Sequence, residues 1–131
     1  MLRFAIVEDD AAQAEMLAGL CGRYAREKGE EIITTVFSGG VVFLEKYRGE
    51  YDAVFMDIAM PHMDGMECAS RLRERDEEVA LVFVTSMARY AIRGYEVNAM
   101  DFILKPVEYD TFCLKLERVE RYLRKRRPAN Y

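Results

Sequence analysis

Histidine is almost absent from this chain: His62 is the only one among 131 residues, and it lies beside Pro61 in a loop-like stretch. A lone loop histidine is read as a solvated side chain, and no chemical role is assigned to it. Cysteine is scarce and odd in number. Cys21, Cys68 and Cys113 have no metal-type spacing, and each falls in a segment with helical periodicity, so they are read as small packing residues. No apolar stretch approaches the roughly 18–20 residues needed to span a bilayer. The N-terminus lacks the basic region, apolar core and small-residue cleavage site of a signal peptide. A soluble protein of the cytoplasm is the expectation. There is no internal repeat, no low-complexity segment and no sign of a second domain. The length suits one domain with room for a sizeable core.

What is present begins with charge. The net charge is −4, and hydrophobic residues make up 51% of the chain, as in a globular protein. The balance is uneven. From Arg118 to Arg127 six basic residues face one acid, Glu120, for a local +5, so the rest carries −9. An acidic body is a poor duplex-DNA binder, because phosphate contacts need Lys and Arg. It suits a hard cation such as Mg²⁺. The basic end is read as a solvated helix face running into a linker.

Hydrophobic periodicity alternates strand and helix five times. Strands are expected at Leu2 to Val7, Ile32 to Phe37, Ala53 to Met56, Ala80 to Val84 and Asp101 to Leu104. Helices are expected at Ala11 to Glu27, Gly40 to Tyr47, Met66 to Arg75, Ala88 to Tyr95 and Tyr109 to Arg126. Met16, Leu17, Leu20 and Tyr24 form the expected apolar face of the first helix. Ser38 is the expected cap of the second. Phe112, Leu116, Val119 and Leu123 form the stripe of the fifth. Such alternation implies a doubly wound α/β fold, its parallel sheet covered on both faces. Right-handed crossovers favour the strand order 2-1-3-4-5, the flavodoxin-like (βα)5 arrangement.

In that order the carboxyl ends of four strands share one edge of the sheet, where ligands bind in open α/β folds. Strand 1 runs into Glu8-Asp9-Asp10. Strand 3 ends at Asp57, strand 4 at Thr85-Ser86, and strand 5 at Lys105-Pro106. Glu8, Asp9 and Asp57 repel one another unless a cation intervenes, and carboxylate oxygens with waters suit octahedral Mg²⁺. A carboxylate can also act as a nucleophile and form an acyl phosphate. A transferred phosphoryl group has three equatorial oxygens whose charge must be balanced. Mg²⁺, the Lys105 ammonium, and the Thr85 hydroxyl with a backbone N–H answer to the three. Positions 8, 9, 57, 85 and 105 therefore make a complete phosphoryl-accepting constellation.

The motifs Ile6-Val7-Glu8-Asp9-Asp10, Met56-Asp57-Ile58-Ala59-Met60-Pro61, Met63-Asp64-Gly65-Met66, Val84-Thr85-Ser86 and Leu104-Lys105-Pro106 resemble those of the receiver domain of two-component response regulators. The resemblance covers roughly residues 2 to 125, with the receiver assigned to 1–127 and a linker beginning at 128–131. It implies that Asp57 is the phospho-acceptor and that Glu8 and Asp9 hold Mg²⁺ with Asp57 and the Ala59 backbone carbonyl. It implies that Thr85 is the switch hydroxyl, that Lys105 contacts the phosphoryl group, and that Phe102 fills the switch-aromatic position. The Lys105-Pro106 bond is often cis in this family. The implied phosphoryl donor is a sensor histidine kinase. Two departures stand out. Ser86 occupies a position where Ala is common, and its hydroxyl is read as facing water. Phe102 replaces the frequent Tyr, so switching rests on packing without a phenol hydrogen bond.

The stretch from Ala88 to Pro106 resembles receivers of LytTR-type transcription factors, in which a β-rich DNA-binding domain follows. The chain is therefore expected to be a piece of a longer regulator that dimerises on phosphorylation and contacts DNA only through that output domain. Tyr90, Ile92, Tyr95, Val97 and Phe102 are expected to form a partly exposed apolar face, with the tyrosines packing or meeting a partner rather than doing chemistry. Other readings are a single-domain receiver signalling by protein binding, a haloacid-dehalogenase-like phosphatase and a flavodoxin-like cofactor binder. The phosphatase would carry a second Asp as proton donor where this chain has Ala59. A flavodoxin-like phosphate loop would not carry acids after strand 1. A non-enzymatic phospho-acceptor is the expectation that remains, self-dephosphorylation aside.

Overall fold

Short runs rich in Val, Ile, Phe and Thr pair into one sheet in the computed structural model, which describes residues 1–126. The strands are β1 (Leu2–Val7), β2 (Ile32–Phe37), β3 (Ala53–Met56), β4 (Ala80–Thr85) and β5 (Asp101–Leu104). They lie in the order β2-β1-β3-β4-β5, and every pairing is parallel. Because β3 and β4 are covered on both faces, all their residues are buried rather than alternating.

The helices split between the two faces. Ala5, Val7, Val54 and Met56 point into a core shared with α2 (Gly40–Lys46) and α3 (Gly65–Arg75). Phe4, Ile6, Ala53 and Phe55 point the other way, toward α1 (Ala11–Lys28) and α4 (Tyr109–Arg126). Phe4, Phe43, Phe55, Phe83 and Phe112 are among the largest fully buried side chains, each contributing roughly 2 kcal/mol by burial. The expected stripe of the last helix is the buried one: Phe112, Leu116, Val119 and Leu123.

Three local expectations are corrected. The first helix buries Ala14, Leu17, Cys21, Tyr24 and Ala25. Met16 is exposed and Leu20 only partly buried, because the smaller residues set the side that lies against the sheet. α1 ends where Gly29 adopts φ 66° and its N–H closes on the Ala25 carbonyl. Ser38 does not cap α2: Gly39 takes that place and makes no side-chain bond. The fourth helical element, Ala88–Val97, is a 3₁₀ helix. Its two buried residues, Gly94 and Val97, are three apart, which matches three residues per turn. Residues 127–131, including the segment expected to begin a linker, lie outside the described residues. Among those described, no helix is long and apolar enough to cross a membrane.

Candidate functional site

Parallel pairing brings the ends of β1, β3, β4 and β5 to one edge. The Glu8 N–H donates to the Phe37 carbonyl, and the Asp57 N–H donates to the Val7 carbonyl, each at 3.0 Å. These bonds carry the sheet register one step past the strands, so both carboxylates leave the sheet from fixed backbone. Glu8 and Asp57 are buried, each 6% exposed, whereas Asp9 is exposed. Carboxylate oxygens of Glu8, Asp9 and Asp57 lie within 4.8 Å of one another. Asp10 and Asp64 stand apart from this group. Asp10 accepts from the Ala12 and Gln13 N–H groups and caps α1, while Asp64 accepts from Glu67 N–H and caps α3.

Lys105 joins the buried acids. Its Nζ lies 2.6 Å from Glu8 Oε1 and 3.1 Å from Asp57 Oδ2. The second Glu8 oxygen accepts from Asp10 N–H at 3.1 Å. Asp57 Oδ1 accepts from the Ile58 N–H at 2.7 Å and from the Ala59 N–H at 3.3 Å. Burial pushes the Glu8 carboxyl up from its ordinary value, against the bonds from Lys105 and Asp10, and the nearby Asp57 charge adds to the rise. Burial works against the Lys105 ammonium, but its bonds to Glu8 and Asp57 outweigh it and hold its pKa above the ordinary value. Two carboxylates and one ammonium leave an excess of negative charge, and Asp9 adds to it. An all-oxygen donor set of this kind fits a hard divalent cation such as Mg²⁺.

Thr85 ends β4 fully buried. Its hydroxyl accepts from Met87 N–H at 3.3 Å, and its carbonyl accepts from Lys105 N–H at 2.9 Å. The Lys105-Pro106 peptide is cis. Phe102 is half-buried, with its ring centroid 6.5 Å from that of Phe83. Ala59 is exposed two residues beyond Asp57, and Ser86 is exposed beside Thr85. His62, also exposed, takes a left-handed φ of 69° in the turn before α3. Cys21 and Cys68 are buried, and burial raises each thiol to about 12; both are packing residues, and Cys113 is partly buried.

One residue that shapes the site has no role in the sequence reading. A Cβ at Gly65 would lie 2.1 Å from the Asp57 carbonyl oxygen and 2.7 Å from the Ile58 Cα. Gly65 N–H donates to the Ile58 carbonyl at 2.8 Å. Only glycine allows α3 to start this close to the loop that follows Asp57. The signal that could have found it is the Asp64-Gly65 pair, an N-cap followed by a residue without a side chain.

Residues 4–117 match the response regulator receiver domain family. An uncharacterized response regulatory protein of Yersinia pestis is 36% identical over 94% of this chain and 50% of its own length. The sensory transduction protein LytT of Oceanobacillus iheyensis is 28% identical over 91% of this chain and 48% of its own. The chain spans about half the length of the curated relatives it matches. The non-phosphorylated HemR receiver domain from Leptospira biflexa superposes with a TM-score of 0.78 at 27% identity, over 98% of each chain.

Proposed function

The chain belongs to the response regulator receiver domains, and from that premise we propose that Asp57 accepts a phosphoryl group from a phosphohistidine of a partner histidine kinase. In that step the phosphorus–nitrogen bond to the imidazole breaks and a phosphorus–oxygen bond to the Asp57 carboxylate forms. The imidazole nitrogen leaves with the electron pair. The observation that carries this reading is the Asp57 side chain, buried at the end of β3 between Lys105 Nζ and the backbone N–H groups of Ile58 and Ala59. These donors orient the carboxylate and meet the charge of the incoming oxygens.

Asp9, Asp57 and the Ala59 carbonyl are the groups that would hold Mg²⁺ directly. Glu8 would act through water: its side chain is longer, and its oxygens accept from Lys105 Nζ and Asp10 N–H. When bound, the ion offsets negative charge on the phosphoryl oxygens. Thr85 supplies the hydroxyl that turns toward the phosphoryl group, giving up its bond to Met87 N–H. Lys105 exchanges a carboxylate partner for a phosphoryl oxygen. Phe102 repacks without a polar partner. The result is a population shift in the face made by the 3₁₀ helix, β5 and α4.

In the whole protein this face controls dimerisation, and a LytTR-type output domain carries DNA binding. The likeness to the sensory transduction protein LytT, and the half-length match, support that reading. The test is Mg²⁺-dependent labelling by acetyl phosphate, read by intact mass. One phosphoryl group is expected on the wild-type chain and none on Asp57→Asn. Calorimetry on Asp9→Ala is expected to show most of the Mg²⁺ affinity gone. Full labelling of Asp57→Asn, or unchanged affinity in Asp9→Ala, refutes the respective assignment.

A further inference from the structure

The 3₁₀ helix is held more firmly at one end than at the other. Of its ten residues, only Gly94 and Val97 are buried, both in its last four positions. Gly94 allows the close approach there, since a Cβ would sit 3.3 Å from that of Ala99. The Ala99 N–H donates to the Gly94 carbonyl, and the Met100 N–H to the Leu81 carbonyl in β4. The first half is different. Ala88, Arg89, Ala91, Ile92 and Arg93 are exposed, and no side chain caps the start at Met87. Tyr90 alone is half-buried there. A 3₁₀ run this long is uncommon, because its hydrogen bonds are poorly aligned.

One side chain secures the held end. Arg73, in the last turn of α3, sends Nε to the Val97 carbonyl at 2.7 Å and Nη2 to the Asn98 carbonyl at 3.0 Å. Its Nη1 reaches the Val79 carbonyl at 2.8 Å and the Asp76 carbonyl at 3.2 Å. All four acceptors are main-chain oxygens. The planar, five-donor fork of arginine suits such a task, and lysine cannot reproduce it. The guanidinium thus ties the carboxyl end of the 3₁₀ helix to the turn that leads into β4. At the other end the ties are weaker: Ala88 N–H donates to the Ser86 carbonyl at 3.2 Å, Met87 and Tyr90 pack partly against the core, and Met87 N–H donates to the Thr85 hydroxyl, a bond that the proposed switch removes.

We propose that Arg73 is a positioning residue of the switch, the fixed pivot about which the amino half of the 3₁₀ helix moves. The proposal rests on the phospho-receiver reading. With the pivot in place, release at Met87 turns the free half and re-aims Ile92 and Arg93. Without it, the same release dissipates as loosening of the whole segment and never reaches those residues in register. Arg73 touches none of Glu8, Asp9, Asp57 or Lys105, so acceptance of the phosphoryl group is left intact.

The test uses BeF₃⁻ with Mg²⁺ on the wild-type chain, Arg73→Met and Arg73→Lys, reading amide chemical shifts and hydrogen exchange. In the wild type, BeF₃⁻ is expected to shift Thr85, Met87, Ile92 and Arg93 while the Asn98, Ala99 and Met100 amides keep their protection. In Arg73→Met the Thr85 and Met87 shifts are expected to persist and the Ile92 and Arg93 shifts to be lost. Arg73→Lys should restore them only in part. A merely structural arginine would lower the melting temperature and leave the ratio of far to near response unchanged; that ratio, measured on folded protein, overturns the proposal if it stays at the wild-type value. Loss of protection at Asn98 to Met100 in the wild type on adding BeF₃⁻ also overturns it, and this arm decides the matter even if Arg73→Met fails to fold. No response at Thr85 in the wild type would instead overturn the phospho-receiver reading, and this inference with it.

Discussion

The Lys105 ammonium lies 2.6 Å from the Glu8 carboxylate, with only 16% of the lysine side chain and 6% of the glutamate side chain exposed. The same nitrogen reaches Asp57. Removing one partner of a buried ion pair leaves uncompensated charge and typically costs about 3–5 kcal/mol. Here two buried carboxylates would face each other. Lys105→Met is therefore expected to lower stability by about 3 kcal/mol in urea titrations without divalent cation. Adding Mg²⁺ should recover a large part of that loss, because the cation supplies the missing positive charge. A loss unaffected by Mg²⁺ would show that Lys105 and the cation do not share the same acids.

Gly65 tests how closely α3 must approach the loop that follows Asp57. The atoms that a Cβ would meet at 2.1 and 2.7 Å are backbone, so no side-chain rotation relieves the overlap. Overpacking of this kind costs roughly 1–3 kcal/mol, and more where backbone must move. Gly65→Ala is expected to fall at the upper end, lowering the melting temperature by roughly 10 °C for a domain of this size. Labelling by acetyl phosphate should slow as well, since Asp57 and Ile58 carry the displaced backbone. A variant with wild-type melting and labelling would remove Gly65 from the site.

The sheet order and the edge that gathers Glu8, Asp9, Asp57, Thr85 and Lys105 are legible in the sequence because each strand is a short apolar run that ends in a polar group. Strand-to-helix alternation then limits the topology. Orientation within helices is less legible. The first helix carries Met16 and Leu20 beside Leu17 and Tyr24, so periodicity alone does not reveal that Ala14 and Cys21 face the sheet. The 3₁₀ geometry of Ala88–Val97 is also hidden, since a ten-residue segment with aromatic and aliphatic residues reads equally well as an α-helical turn or two. Val97, expected on an exposed face, is buried; Tyr90 and Phe102 pack partly against the core. Arg73 gives no signal at all, because its partners are carbonyls, three of them from segments beyond its own helix.

Asp76 governs a pH effect remote from the acceptor edge. Its Oδ2 accepts from the Tyr47 hydroxyl at 2.6 Å and its Oδ1 from the Glu78 and Val79 N–H groups, each at 3.0 Å. Burial alone would raise its pKa, but the Tyr47 bond, these two N–H groups and the Arg73 charge outweigh it and lower the pKa. A depressed native carboxyl stabilises the fold above its unfolded pKa, near 3.9, and that contribution is lost as pH falls through the native value. Asp76→Asn is thus expected to cost about 1 kcal/mol at neutral pH. Below about pH 4 the gap to wild type should close. Urea unfolding at both pH values measures it, and a gap of constant size would contradict the assignment.

The last expectation concerns association. Ile92 is 78% exposed and Tyr95 74%, while Leu104 on β5 and Leu114 on α4 are 50% and 64% exposed. These four lie on the elements of the proposed output face, and large exposed apolar groups on neighbouring elements are candidates for an interaction surface. Ile92 and Tyr95 belong to the face expected from sequence; Leu104 and Leu114 extend it. A two-fold contact would place each patch against its copy. A bias of about 1.4 kcal/mol changes a dimer constant tenfold, so a modest repacking at Phe102 suffices. Sedimentation velocity at matched concentrations is expected to show a larger dimer fraction with BeF₃⁻ and Mg²⁺ than without. Ile92→Asp should abolish the increase and leave acetyl-phosphate labelling of Asp57 unchanged, because residue 92 is exposed and outside the acceptor edge. Equal monomer fractions in both conditions, across concentrations that bracket the dimer constant, would exclude self-association as the output and favour a different protein partner for this face.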